Sequence, residues 1–137
     1  MDYAALFEIS ASGMDFQRLR METIANNLAN ANTTRGVNGE LYRPLEAVAR
    51  ADDYGFEQAM RGVEDVRIVE KFGPPRSVFN PGHPDADAAG FVTMPNINPV
   101  DEMVNMITAT RAYEANIRAM NAAKTMAMRA LEIGGNK

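Results

Sequence analysis

Hydrophobic positions in the last third of the chain recur by sevens. Counting from Met103 gives Met103, Thr110, Ile117, Lys124 and Leu131, and counting from Met106 gives Met106, Tyr113, Met120 and Ala127. All but Thr110 and Lys124 are apolar if alanine is included, so the pattern predicts a heptad seam with coiled-coil-like packing. Asn98 can cap the start. Pro99 suits the first helical position because its φ is already fixed, and Asp101 and Glu102 place negative charge beside the unpaired N–H groups of the first turn. The helix is expected to begin at Pro99 or Val100 and to stop at Gly134, with Glu114 and Arg118 as an i,i+4 pair off the seam.

The N-terminal stretch, from about Asp2 to Ala31, carries the same period. Leu6, Met14, Met21, Ile24, Ala25, Leu28 and Ala31 share one broad arc at 100° per residue, and Met14, Met21 and Leu28 step by seven. Gly13 costs this helix ~1 kcal/mol of propensity. Its natural partner is the C-terminal seam. Between the helices the period is lost: all seven prolines and seven of the ten glycines fall within residues 36–99, which concentrates turns there. Short strands are expected at 41–48, 63–72, 77–80 and 90–94, the first confined to an edge by Pro44. The predicted fold is mainly α with a small β-containing insert, its two long terminal helices packed as an elongated coiled-coil-like hairpin. The expected divisions are an N-terminal helix (1–33), an outward-facing insert (34–98) and a C-terminal heptad helix (99–137).

Length adds a constraint. A compact chain of 137 residues would be ~37 Å across, whereas residues 100–133 as one helix span ~51 Å. The molecule must be elongated, and its methionine-rich C-terminal face calls for other subunits. Composition narrows the function. With 18 acidic against 14 basic side chains and a net charge of −4, there is no general attraction to nucleic acid. The absence of cysteine rules out disulfides, thiolate metal sites and thiol nucleophiles. The opening MDYAALFEIS lacks the basic start and long apolar run of a cleaved signal, and nothing reaches the ~18 apolar residues of a membrane span. Export would need another route, and no membrane insertion is expected.

Candidate chemistry is sparse. The single histidine, His83, lies in NPGHPDADAAG with Asp85 and Asp87, and H-x-D-x-D could in principle hold a metal for a hydrolase. Without further ligands the segment reads instead as a structural loop, in which Pro81 and Pro84 fix the backbone, the aspartates cap turns, and Gly82 would resist substitution if it needs positive φ. No serine has a nucleophile setting and no glycine spacing fits a phosphate loop. Catalytic, metal and cofactor-binding residues are therefore expected to be none. The densest anomaly is IANNLANANTT, where Asn26, Asn27, Asn30 and Asn32 surround Leu28. Amides do no acid–base work at neutral pH, so these residues read equally as helix termination and as pairing with a neighbouring subunit.

These motifs resemble the axial proteins of the bacterial flagellum, its rod and hook subunits. IANNLANANTT is similar to their shared N-terminal motif, RAYEANIRAMNAAKTMAMRALEIG to their C-terminal helix, and NPGHPDADAAGFVTMPNINPVDEM to a stretch distinctive of one proximal-rod member. The resemblance implies a non-enzymatic, cofactor-free building block of the rod, exported by the flagellar type III apparatus and assembled helically in the periplasm. Its implied partners are copies of itself, other rod proteins (FlgB, FlgF and FlgG-like), a FliE-like adaptor and the MS ring. A soluble coiled-coil adaptor or secretion chaperone is the alternative reading of the residues alone.

Overall fold

The computed structural model describes residues 3–49, 62–63 and 65–135; Asp2, the expected helix start, lies outside them. Helix α1 runs Tyr3–Ala29 and helix α2 Pro99–Gly135. Asn98 begins α2 as its sequence dictates: its Oδ1 accepts the Val100 N–H at 3.1 Å and its Nδ2 donates to Asp101 at 2.9 Å. At the other boundary, the Asn30 N–H reaches the Asn26 and Asn27 carbonyls and the Ala31 N–H the Leu28 carbonyl, a tightened last turn that closes α1.

Four short strands lie between the helices, β1 (Leu45–Ala49), β2 (Val66–Glu70), β3 (Arg76–Phe79) and β4 (Phe91–Met94). They form two separate antiparallel ribbons. In the first, β1 pairs with β2 from Leu45↔Glu70 to Ala49↔Val66; in the second, β3 pairs with β4 from Arg76↔Met94 to Phe79↔Phe91. Pro44 cannot donate to a ladder, and β1 begins immediately after it, while the Pro44 carbonyl still accepts the Lys71 N–H at 2.7 Å. The architecture is mostly helical with a small two-sheet β insert.

Three contacts show how the helices run. Asn27 meets Glu102, Met21 meets Thr110, and Gly13 lies against Asn116, so α1 ascends as α2 descends and the two are antiparallel. Gly13 has a use here that offsets its poor helix propensity: a Cβ at that position would stand 2.8 Å from Asn116 Nδ2. Buried Ala109 and Ala123 are also small, and with Gly13 they let the two backbones approach. Among the described residues the other buried apolar ones are Ile24 on α1, Ala31 just after it, Ala47 on β1, Val92 on β4 and Ile97 just before α2. This core is small for the chain, and a ribbon of two strands is marginal alone; β1 gains its stability by lying on α1.

Candidate assembly interface

The α1 end of the helix pair is fastened by one amide. Asn27, only 2% exposed, donates from Nδ2 to the Leu45 carbonyl at 2.8 Å and to Glu102 Oε2 at 3.3 Å. Its Oδ1 accepts from the Leu45 N–H at 2.9 Å and from the Tyr42 hydroxyl at 3.0 Å. An asparagine side chain offers two donors and two acceptors, and all four are used. The residue thereby ties α1 to β1, to the segment before it and to the first turn of α2. Burial, and secondarily the Glu102 charge, push the Tyr42 hydroxyl above its ordinary pKa of 10.0, so it stays protonated and keeps donating.

The other asparagines do different things. Asn30 ends the helix, its Nδ2 donating to the Asn26 carbonyl at 2.9 Å while its Oδ1 accepts from Thr33. Asn26 and Asn32 are exposed. Of the expected seam residues in α1, Ile24 is buried and Leu6, Met14, Met21 and Leu28 are half-buried; the Thr110 hydroxyl donates to Met21 Sδ at 3.5 Å.

On α2 the two heptad registers part company. Met106, Tyr113 and Met120 are half-buried and alternate with Glu102, Ala109, Asn116 and Ala123 on the α1 side. In the Met103 register Thr110 is half-buried and reaches Met21 on α1, whereas Met103, Ile117 and Leu131 are exposed in the single chain. A helix of 3.6 residues per turn drifts ~20° for each step of seven. The register that starts at Met103 therefore begins well off the α1 side and drifts toward it along the helix. Position 131 faces that side only where α1 has ended. Pairing proceeds residue for residue from Asn27 and Glu102, so Tyr3 lies opposite ~126 and the last ~10 residues of α2 extend ~15 Å beyond α1. Leu131, 75% exposed, sits on this overhang.

Two unlike free faces result. On α1 the exposed side carries Glu8, Asp15, Arg18, Glu22, Ala25 and Asn26, with Arg18 bridging Asp15 and Glu22 at 3.4 and 3.5 Å. On α2 it carries Val100, Met103, Val104 and Ile107, at i, i+3, i+4 and i+7. Sequence periodicity hides this stripe because it continues the apolar arc around the helix.

The His83 loop is a closed turn that joins β3 to β4. Asn80 donates its N–H to the Gly90 carbonyl at 2.9 Å and Asp87 its N–H to that of Phe91 at 2.8 Å. Asp87 Oδ1 accepts from the Ala89 and Phe91 N–H groups, and His83 Nδ1 accepts from that of Asp85. Asp85 is engaged through both oxygens, by the Thr34 hydroxyl at 2.6 Å and by Arg35 at 2.7 Å, which docks the loop on the segment just after α1. The conditional expectation for Gly82 fails: the positive φ, 82°, belongs to Gly90, where a Cβ would also press within 2.9 Å of the Phe79 ring. A Cβ on Gly82 would meet nothing closer than Asn80 Oδ1 at 3.9 Å. Pro81 and Pro84 are exposed around the loop.

Among the described residues no helix is long and apolar enough to cross a membrane. Two family models match the chain at the elements just described: a flagella basal body rod protein model over residues 7–35, and the C-terminal model of the flagellar basal body rod FlgEFG proteins over residues 88–133. The first ends on the turn that closes α1, and the second takes in β4 and nearly all of α2, so helix pair and matches together define a flagellar rod-type subunit. The flagellar basal-body rod protein FlgC of Salmonella typhimurium is 40% identical over 94% of the chain and 96% of its own length. FlgC of Bacillus subtilis is 41% identical over 92% and 94%, and FlgC of Aquifex aeolicus 40% over 96% and 97%. The chain belongs to the FlgC family of flagellar basal-body rod proteins. It is a structural subunit of the basal-body rod and not an enzyme; these similarities do not favour the adaptor or chaperone reading.

Proposed function

We propose that the chain builds the proximal rod through its terminal helices. α1 and α2 form a coiled-coil-like hairpin, the apolar face of α2 is covered by neighbouring subunits, and the repeat of that contact along a helical path makes a tube. In this reading residues 1–33 and 99–137 supply the shaft and residues 34–98 face outward. The neighbours are further copies, other rod proteins of the FlgB, FlgF and FlgG kind, a FliE-like adaptor and the MS ring. The chain reaches the periplasm through the flagellar export apparatus without a cleaved signal.

The observation that carries this is the exposure of α2. Ile107 is 60% exposed in the stripe at the start of α2 and Leu131 75% exposed on the overhang, on a helix far longer than its partner, and clustered apolar surface of this kind in water marks a contact surface. Ile117→Asp and Leu131→Asp test it. Both side chains already face solvent, so the free subunit should keep its helicity, whereas a carboxylate buried without a partner costs several kcal/mol in every repeated contact. The expected outcome is a folded, exported chain absent from isolated basal bodies, in non-motile cells. Normal motility with either variant would remove that position from the assembly.

A further inference from the structure

Ten methionines are many for a chain of this size, and the described ones differ in exposure. Met21 and Met94 are half-buried, each sulfur accepting a hydrogen bond, from Thr110 at 3.5 Å and from Arg76 at 3.9 Å. Met106 and Met120 are half-buried. Met103, Met126 and Met128 are 56%, 49% and 53% exposed, all on α2. Met103 belongs to the open stripe with Val104 and Ile107, and Met126 and Met128 to the overhang.

We propose that Met103, Met126 and Met128 are an oxidative modification site that decides whether a free subunit can join the rod. The co-reactant is a hydroperoxide such as hydrogen peroxide. The thioether sulfur attacks the distal peroxide oxygen, the O–O bond breaks, the sulfur loses two electrons to become a sulfoxide, and the peroxide is reduced to water. Reactivity follows access to the sulfur, so among the described methionines these three react first. A flexible apolar side chain becomes one with a strongly polar S=O acceptor, placed on a surface where an apolar partner offers no donor. Once a neighbour covers the face, the sulfurs are shielded. The modification thus acts only before assembly, a step that rests on the assembly reading above; the order of reactivity does not.

Two measurements test the two halves. The purified chain is treated with graded hydrogen peroxide and the added oxygens are located by peptide mass spectrometry. Met103, Met126 and Met128 should oxidise at least ~5-fold faster than Met21 and Met106, as exposure dictates; equal or inverted rates overturn the site. In the second measurement, cells producing either the native chain or the M103L/M126L/M128L variant receive a peroxide pulse while new basal bodies form. Leucine keeps the apolar volume, so the variant should enter basal bodies equally with and without peroxide, while entry of the native chain falls severalfold. Native basal bodies carrying sulfoxide at these residues in the same proportion as the unassembled pool would overturn the proposal. Absence of the untreated native chain from basal bodies would instead sink the assembly reading and leave the oxidation map standing.

Discussion

At the Asn27 end of the helix pair, contact is made by polar groups that have no partner left to seek: the amide is saturated by Leu45, Tyr42 and Glu102. At the other end α2 continues past α1 with Met126, Met128, Leu131 and Ile133 exposed. A globular domain normally buries its apolar surface and leaves polar groups to water. Here hydrogen bonds hold the subunit together while apolar surface is kept outside, because a buried hydrogen-bonded amide specifies one geometry whereas apolar contact is non-directional and accumulates with area. The interior therefore fixes shape, and the exterior supplies adhesion.

The contrast can be broken most forcefully at Asn27. Asn27→Leu removes four hydrogen bonds and strands Glu102 and the Leu45 backbone in a buried site, so the chain should lose ~3–5 kcal/mol of stability, read from chemical denaturation. A loss under 1 kcal/mol would show that apolar contact, not the amide, holds this end. Gly90→Val comes next. At φ 82° a β-branched residue is strained and would collide with Phe79, costing ~2–3 kcal/mol, while Gly82→Val should stay within ~0.5 kcal/mol.

Tyr42→Phe gives a smaller effect, ~1 kcal/mol, by deleting one donor to Asn27. It also carries a pH signature. The folded-state pKa of Tyr42 is raised, so the stabilisation is complete below the ordinary value of 10.0 and is lost as the pH rises through that value toward the folded one. Alkaline titration of unfolding should show the native chain losing stability faster above pH 10 than Tyr42→Phe. The smallest effect sharpens the other side of the comparison: Leu131→Ser on the overhang should change the free subunit's stability by less than ~0.5 kcal/mol and still reduce its recovery in basal bodies.

Periodicity was enough to read the two helices and the Met106 register, because a helix repeats its environment every turn, and local chemistry was enough for the Asn98 cap. The stop expected at Gly134 is overrun, since α2 continues through Gly135. Periodicity could not separate the Met103 register, since both registers are apolar and only the crossing with α1, plus the slow drift of a straight helix, decides which one is covered. The strands at 76–79 and 91–94 were legible from the turn-rich loop between them. The clasp was not. Asn27 stands among three other asparagines with the same local signal, and its partners Tyr42 and Glu102 are 15 and 75 residues away. The same holds for Asp85, whose sequence neighbours suggest a ligand set while its real partners are Thr34 and Arg35.

The saturated amide at position 27 also limits what evolution can write there. Aspartate has the same shape but no donor, and would set a second carboxylate against Glu102; leucine has the volume and none of the bonds; glutamine has the right groups one methylene too far out. A serine or threonine hydroxyl supplies at most one donor where two are needed. Position 27 is in effect a site with an alphabet of one letter, and comparison among related chains should find it spelled the same way wherever a tyrosine and a glutamate occupy the places of Tyr42 and Glu102.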